Sequence, residues 1–314
     1  MMRRVLGFLL LVGLSAASVG QTRITDVMAW ADGWLNSTRS QNYTGVLSIS
    51  GDSGMYTYRL WHKYTDGQEE ERLRRLDGPL LEVVRVGDSV TCLHGPGADV
   101  PADHALPASP FAQLLHLEWM RVAEHYAVWS VRTERVAGRP AQLFELRPQH
   151  DAEVYRHRLW LDEETEVLLK YQIIGLDDAV LSEARFTDIE FGIVELPPQF
   201  GSTFPNSFWH QYRPQSIQST VDAAQIWQAG YMPEGFTLRV EEARGEGWYQ
   251  MWSDGVVKLS VMVDPIMNNM PMNTSERRGA NALVAQVHGP WQVVLIGAIP
   301  ERTAQRIATE IEWR

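Results

Sequence analysis

Two stretches of the chain alternate apolar and polar residues with a period of two, which is typical of antiparallel strands with one buried face. In the first stretch, Tyr56, Tyr58 and Leu60 fall on one side of a strand, and Arg59 and Lys63 fall on the other side. Asp-Gly pairs, which favour hairpin turns, separate the alternating segments. The pattern predicts strands over residues 43–50, 55–64, 69–76 and 81–94.

The second alternating stretch predicts strands over residues 126–136, 140–147, 154–161, 167–174 and 179–191. One face of these strands is apolar and the other is charged. The apolar face collects Leu159, Leu161, Leu169, Tyr171, Ile173 and Phe186, and the charged face collects Arg156, Arg158, Lys170, Gln172 and Arg185. About nine strands in this order predict one large, strongly curved antiparallel sheet with a hollow on its apolar side.

Two segments with apolar residues at a helical period flank the first set of strands. The first helix is predicted over residues 25–36 with Thr25 as its N-cap, and the second opens at Ser109-Pro110. The apolar stripe of the second helix includes Phe111 and Trp119. We expect both helices to pack into or beside the hollow of the sheet.

A different organisation begins after residue 196. Residues 197–220 contain four prolines and no clear period, which predicts a linker. Short strands and a final helix after Pro300 then predict a small α+β domain, in which the methionine-rich segment 262–272 is expected to be a mobile loop. The strands are predicted over residues 236–243, 247–253, 256–263, 281–287 and 291–298.

Residues 1–20 have the organisation of a cleaved secretory signal peptide, since Arg3 and Arg4 precede an apolar run up to Leu14 and small residues follow to Gly20. We therefore expect an exported, soluble mature chain without a membrane span, because no later apolar run is long enough. Cleavage changes the formal net charge from −11 to −13, because it removes two arginines and no acid. Such an acidic chain is not expected to bind nucleic acid.

The sequence contains no catalytic or cofactor motif, since G-x-S-x-G, H-E-x-x-H, C-x-x-C and glycine-rich phosphate loops are all absent. His116 and His125 lie near Glu118 and Glu124, but their spacing matches no metal site, so we expect no metal and no cofactor. Cys92 is the only cysteine and cannot form an internal disulfide. These features favour a binding protein over an enzyme.

An apolar hollow in an exported protein could bury an acyl chain, because each buried methylene group contributes roughly 0.8 kcal/mol. Such binding would require no catalytic group. The alternative is that helices and loops of the chain itself fill the hollow, and the sequence leaves both interpretations open.

Several segments resemble the RseB/MucB family, and together they cover nearly the whole mature chain in order. In the large predicted domain they are YTGV from residue 43, TYRLWHKYTDGQEEERLRRLDGPLLEVVRV from residue 57 and RVAGRPAQLFELRPQHDAEVYRHRLWLDEET from residue 135. In the smaller domain they are YMPEGFTL, SDGVVKLSVMVDP and VHGPWQVVLIGAIPERTAQRIA, from residues 231, 253 and 287.

The resemblance implies a periplasmic negative regulator of the envelope-stress sigma factor, sigma-E or its AlgU-type equivalent. Members of this family bind the periplasmic segment of a membrane-spanning anti-sigma factor, RseA or MucA, and shield it from the protease that starts its degradation. Lipid A-type (lipopolysaccharide) ligands or misassembled outer-membrane protein release the complex. The implied fold is a large N-terminal unclosed antiparallel β-barrel like that of the carriers LolA and LolB, with helices in its mouth, and a smaller C-terminal α+β domain.

The resemblance also assigns regions: residues 21–196 to the lipid-sensing domain, 197–220 to the linker and 221–314 to the domain that contributes much of the anti-sigma contact. It identifies no individual partner-binding residue, and it leaves the oligomeric state open, a homo-oligomer included. A periplasmic carrier of the LolA type is the main alternative function, and a secreted hydrolase is a third. The concave, ligand-sensing face would carry Tyr56, Tyr58, Leu60, Leu159, Leu161, Leu169, Tyr171, Ile173 and Phe186.

Overall fold

A large antiparallel sheet and a smaller sheet domain make up the computed structural model of the chain. The structure describes residues 20–51, 54–87, 89–95, 110–149, 153–192, 194–196, 208–212, 227–266 and 271–314. Almost all of the predicted signal peptide, residues 1–19, lies outside these ranges.

Twelve described strands form the large sheet in the order β1-β7-β8-β9-β10-β11-β2-β3-β4-β5-β6-β12. Strands β1 and β12 are its two edges, so the sheet is unclosed, as predicted. The strands are β1 (Thr22–Arg23), β2 (Tyr43–Gly51), β3 (Gly54–Thr65), β4 (Gln68–Arg75), β5 (Leu81–Val86), β6 (Ser89–His94), β7 (Tyr126–Val136), β8 (Arg139–Pro148), β9 (Arg156–Asp162), β10 (Leu168–Ile174), β11 (Val180–Phe191) and β12 (Phe208–Tyr212).

Two predictions about the strands differ from the structure. The segment predicted as one strand over residues 81–94 is a hairpin of β5 and β6, because the chain turns at Gly87, which has a left-handed φ of 54°. Apolar and polar residues keep alternating across this turn, so the period alone could not reveal it. Within the interval predicted as a linker, β12 pairs antiparallel with β6 and extends the sheet. Residues 197–207 and 213–220 lie outside the described ranges.

Three helices belong to the large domain, namely α1 (Val27–Ser40), α2 (Pro110–Leu115) and α3 (Trp119–His125). The N-cap of α1 is Asp26 instead of the predicted Thr25, since its carboxylate accepts from the backbone N–H of Ala29 at 2.9 Å. Helix α1 also continues to Ser40, past the polar residues that suggested an end at residue 36, because Thr38 on its inner side is buried against the sheet. The predicted second helix divides into α2 and α3.

The small domain is a six-stranded antiparallel sheet in the order β14-β15-β16-β19-β18-β17, with one helix packed on it. Three strands in this region escaped prediction: β13, β17 and β20, all between three and five residues long. The elements are β13 (Trp227–Ala229), β14 (Thr237–Arg244), β15 (Gly247–Ser253), β16 (Lys258–Pro265), β17 (Thr274–Arg278), β18 (Asn281–His288), β19 (Trp291–Gly297), α4 (Glu301–Thr309) and β20 (Ile311–Trp313).

The predicted α+β class, with one large and one smaller domain, is confirmed. The methionine-rich loop prediction is wrong for residues 262–265, which form the end of β16, because their backbone pairs with β15 and β19. Residues 267–270 lie outside the described ranges. A single apolar cluster runs from the hollow of the large sheet into the core of the small domain, so the two domains share one continuous core.

Candidate functional site

The residues predicted to line a ligand-binding face do share the concave face of the large sheet. Strand register places Tyr171 directly opposite Leu159 on one side and opposite Ala184 on the other. Phe186 lies opposite Leu47, which in turn lies opposite Tyr58. Because directly opposed residues in antiparallel strands point to the same side, these side chains form one continuous apolar surface.

Helices cover this surface, so the hollow is filled in the structure. The exposed fraction is below 10% for six of the nine predicted residues, whereas Tyr56, Tyr171 and Ile173 are half-buried. The six buried residues are Tyr58, Leu60, Leu159, Leu161, Leu169 and Phe186.

Aromatic rings contribute contacts both between the helices and the sheet and between two of the helices. The ring of Trp30 in α1 lies 5.1 Å from that of Phe144 on β8, and Phe111 in α2 lies 5.6 Å from Phe186. The ring of Trp119 in α3 contacts Trp34 of α1, with 5.5 Å between the centroids. A ligand could therefore reach the part of the concave face beneath these rings only if a helix moved away from it.

The tryptophans in the hollow have polar atoms that the described part of the chain does not satisfy. The indole Nε1 atoms of Trp30, Trp34 and Trp119 are buried and have no hydrogen-bond acceptor among the described residues. A buried N–H without an acceptor costs about 1–3 kcal/mol. The hollow therefore offers hydrogen-bond donors as well as apolar surface.

One end of the hollow is closed by polar residues from both domains. Tyr126, the first residue of β7, donates from its hydroxyl to Asp254 Oδ2 of the small domain at 2.6 Å. His157 on β9 lies beside it, stacks on Tyr171 with 5.9 Å between ring centroids, and has its Nδ1 2.7 Å from the Tyr171 hydroxyl. Asp254 also accepts from the backbone N–H groups of two following residues through Oδ1, so it holds its own turn in shape.

Burial sets the protonation of these groups. It lowers the pKa of His157 to about 4, so this imidazole is neutral at neutral pH. Burial, and to a smaller degree the charge of Asp254, raises the pKa of the Tyr126 and Tyr171 hydroxyls. Both tyrosines therefore keep their protons and can donate hydrogen bonds at this end of the hollow.

The short helix α3 contacts the hollow on one side and the small domain on the other. Trp119 and Val122 of α3 are buried toward the hollow. On the opposite side, Arg121 donates to the carbonyl of Gly235 at 2.6 Å, and the N–H of Glu118, the N-cap residue, donates to the carbonyl of Gly255 at 3.3 Å.

Two glycines let the small domain approach α3 this closely. Gly235 and Gly255 have left-handed φ values of 91° and 104°. A Cβ on Gly235 would lie 2.8 Å from the ring of His125, and one on Gly255 would lie 2.9 Å from Cβ of Arg121. Larger residues would therefore be strained by conformation and would also collide with the helix.

A second contact between the domains lies at α4. Thr303 donates from its hydroxyl to the carbonyl of Glu153 at 3.0 Å, and Arg306 forms an ion pair with the Glu153 carboxylate at 3.3 Å. Arg239 also pairs with Glu118 at 2.7 Å. The small domain is thus fixed both at α3 and at the segment that leads into β9.

The residues predicted for the charged face lie on the outer, convex face, where the four cations form ion pairs and Gln172 donates a hydrogen bond to Glu183. Glu183 pairs with Lys170 at 3.1 Å and with Arg185 at 3.3 Å. Arg156 and Arg158 both contact Glu145.

The sequence analysis did not identify the hydrogen bond between Tyr126 and Asp254, the buried His157 beside it, or the contact of α3 with the small domain. His157 did leave a signal, because it is a polar residue at an inward position of an otherwise apolar strand face. The pairing of Tyr126 with Asp254 left none, since 128 positions separate them in the chain.

Among the described residues there is no group of three or more His, Cys, Asp or Glu side chains arranged to hold a metal ion. His125 packs on Gly235 and Glu118 pairs with Arg239, so these two residues of the predicted histidine–glutamate group contact the small domain. Cys92 is buried on the concave side as a free thiol, and burial raises its pKa. Within the described part of the chain, no helix is both long and apolar enough to cross a membrane.

An unclosed sheet with a helix-filled hollow, docked through one of those helices to a second domain, defines a two-domain binding protein. The chain belongs to the MucB/RseB family. The family model for the MucB/RseB N-terminal domain matches residues 26–207, and that for the MucB/RseB C-terminal domain matches residues 221–312.

Characterised relatives match over most of their length. The chain is 27% identical to the sigma factor AlgU regulatory protein MucB of Pseudomonas aeruginosa, over 98% of this chain and 97% of that protein. It is 24% identical to the sigma-E factor regulatory protein RseB of Salmonella typhimurium, over 88% of each chain.

Solved structures of MucB superpose on this chain over most of its length. The complex of Pseudomonas aeruginosa MucA and MucB superposes with a TM-score of 0.71 and 25% identity, over 92% of this chain and 99% of that one. A crystal structure of MucB superposes with a TM-score of 0.58 and 24% identity, over 93% of this chain and 99% of that one, which supports the shared fold.

The buried His157 predicts a pH dependence of stability. Its folded pKa of about 4 lies below the usual 6.5, so the unfolded chain binds the proton more readily. The contribution to stability is complete above pH 6.5 and is lost as the pH falls toward 4, by about 3 kcal/mol in total. Urea unfolding at a series of pH values measures this slope.

The variant His157→Gln should flatten the slope between pH 4 and 6.5, whereas His116→Gln, at an exposed position, should keep it. An unchanged slope in the His157 variant would show that the acid sensitivity arises elsewhere.

Proposed function

We propose that this protein binds the periplasmic segment of a membrane-spanning anti-sigma factor and thereby restrains an envelope-stress sigma factor. The observation that carries the proposal is the match of both domains, in order, to a family whose member MucB has been solved together with MucA. The curated relatives over the same length are named as sigma factor regulatory proteins. We place the mature chain, from residue 21, in the periplasm, and we propose that it acts by binding and not by catalysis.

Protection from proteolysis would follow from binding alone. A protease must hold an extended segment of its substrate in its own active site, so a partner bound to that segment competes with cleavage. The fraction of anti-sigma factor that is cut would then depend on how much of it is free of the regulator. We propose residues 221–314 as the main contact region, because the resemblance assigns the contact to that domain.

Mixing residues 21–314 with the periplasmic segment of the host's own anti-sigma factor tests this proposal. Isothermal titration should show saturable binding, and the bound segment should be cut more slowly by its initiating protease. A segment of the same composition in scrambled order is the control. Failure to bind the natural segment, with acyl-chain binding retained, would instead favour a carrier of the LolA type.

We further propose that an acyl chain, as in a lipopolysaccharide-type lipid, occupies the hollow of the large domain when a helix moves aside. The concave face supports this, because it is apolar across several strands and is covered by helices instead of by a second sheet. Each methylene group moved from water to this face would contribute roughly 0.8 kcal/mol. The unpaired indole N–H groups of Trp30, Trp34 and Trp119 would suit the ester or amide oxygens of such a lipid.

Ile173 offers a test of the acyl-chain site, because it lies on the concave face and is only half-buried. Ile173→Asp should weaken binding of a fluorescent long-chain fatty acid at least tenfold, since a carboxylate opposes burial of the chain. Leu176→Asp, at an exposed turn position 45% accessible to solvent, is the matched control and should leave the affinity unchanged. Equal affinities in the wild type and both folded variants would rule out this face.

Helix α3 supports a physical account of how the lipid would release the partner. It covers the hollow with Trp119 and Val122, and it holds the small domain through Arg121 and the backbone of Glu118. A lipid that displaced α3 would therefore disturb the contacts that set the position of the small domain. Ligand binding shifts an equilibrium only when the two states differ in affinity, and α3 would supply that difference.

The variant Tyr126→Phe tests the coupling, because it removes the hydroxyl that binds Asp254 and keeps the ring that closes the hollow. In the wild type, the fatty acid should weaken binding of the anti-sigma segment by roughly 5- to 150-fold, the usual range for coupled sites. This factor should be smaller in the variant, because one contact between the hollow and the small domain is lost while those of α3 remain, and fatty-acid affinity should stay the same.

The control for the coupling experiment is Tyr249→Phe, which removes a hydroxyl that forms a hydrogen bond with Ser260 inside the small domain. If the fatty acid weakens binding of the anti-sigma segment as much in the Tyr126 variant as in the wild type, the coupling does not pass through the hydrogen bond between Tyr126 and Asp254.

A further inference from the structure

A group of arginine side chains lies on the outer face of the large sheet, on the opposite side from the hollow. Arg147, Arg156 and Arg158 all direct their guanidinium groups at the carboxylate of Glu145, which is only 3% exposed. The closest nitrogen–oxygen distances are 2.5, 3.2 and 3.1 Å, respectively. These residues and Arg132 line a depression of about 220 Å³.

Neighbouring residues hold these cations in place. Strand pairing sets Glu145 of β8 directly opposite Arg158 of β9. The Cζ atom of Arg147 lies 5.3 Å from the centroid of the Trp129 ring, and its Nη2 donates to the side-chain oxygen of Gln21 at 2.9 Å. The guanidinium groups are therefore oriented before any ligand arrives, which lowers the entropy lost on binding.

The arginines have more hydrogen-bond donors than the described carboxylates use. Arg158 donates only from Nε, to Glu145, so its terminal nitrogens have no acceptor among the described residues, and its side chain is 27% exposed. Arg156 donates to Glu145 and to Asp178, a rim residue that is 76% exposed and hence a weak partner. Three permanent positive charges thus face a single buried carboxylate.

We propose that this arginine cluster binds a phosphate group, either free or carried by a phosphorylated headgroup. The cations surround one depression and are not spread along a line, which suits a compact oxyanion better than an extended acidic peptide. A phosphate group also presents several acceptor oxygens, so it can receive hydrogen bonds from more than one guanidinium at once. The site is separate from the hollow, and the proposal does not depend on the proposed regulatory function.

The carboxylates around the depression compete with phosphate for the arginine side chains. Glu145 occupies part of the donor capacity at the floor, Asp178 competes for Arg156 at the rim, and Glu134 pairs with Arg132 at 2.5 Å. Removing an arginine should therefore weaken phosphate binding, whereas removing the exposed competitor Asp178 should strengthen it. A purely structural ion-pair network would not give effects of opposite sign.

The test is isothermal titration of residues 21–314 with inorganic phosphate at constant ionic strength. Arg158→Gln should lower the affinity at least tenfold, and Asp178→Asn should raise it several-fold. Arg185→Gln is the matched control, because Arg185 lies on the same face but pairs with Glu183 outside the depression, and it should leave the affinity unchanged. Thermal unfolding verifies that the variants stay folded.

Absence of phosphate binding by the wild type, or equal losses in the Arg158 and Arg185 variants, would overturn the proposal. So would tighter binding of a poly-glutamate peptide than of phosphate. Vesicles of phosphatidylcholine with and without phosphatidic acid identify the source. Binding that requires phosphatidic acid and is lost in the Arg158 variant assigns the site to a lipid headgroup, and phosphate binding without vesicle binding assigns it to a soluble phosphate.

Discussion

The structure depends on the need to cover the apolar concave face of a single large sheet. An open sheet has no second sheet to bury that face, so helices α1, α2 and α3 do so through Trp30, Phe111 and Trp119. Full burial of a large apolar side chain contributes about 1.5–3 kcal/mol, which exceeds the 0–1 kcal/mol typical of an exposed ion pair. The positions of α1, α2 and α3 follow from this one requirement, and α3 is one of the two places where the large domain holds the small domain.

Covering the sheet with helices has a consequence that a second sheet would not have. Short helices such as α3, with seven residues, are marginal on their own and keep their shape by packing. The contacts of α3 with the small domain include hydrogen bonds from Arg121 and from the backbone of Glu118, an ion pair of Glu118 with Arg239, and close packing at Gly235 and Gly255. An element that is weakly stable alone and contacts two parts of the molecule is suited to relate the state of one to the position of the other.

The polar groups on the two faces of the large sheet differ in burial and in charge. On the concave side, His157, Tyr126 and Asp254 are buried together at the domain boundary, where burial keeps the imidazole neutral and the tyrosine protonated. On the convex side, the arginines stay partly exposed and charged around Glu145. The same alternation of side chains that builds an apolar surface on one side of β8 and β9 therefore builds a cationic one on the other.

The sequence by itself determined the strands, the two faces of the large sheet and the division into a larger and a smaller domain, because side-chain alternation is a local property that each strand displays along its own length. It did not reveal the hairpin at Gly87, the division of α2 from α3, or the pairing of Tyr126 with Asp254. The hairpin is a local turn that the alternation of side chains does not mark, whereas the segment between α2 and α3 and the side chain of Tyr126 both contact residues of the small domain far along the chain. The sequence also could not show whether the hollow is open or filled, because that depends on where the helices pack. Only the tertiary structure places the helices inside the hollow.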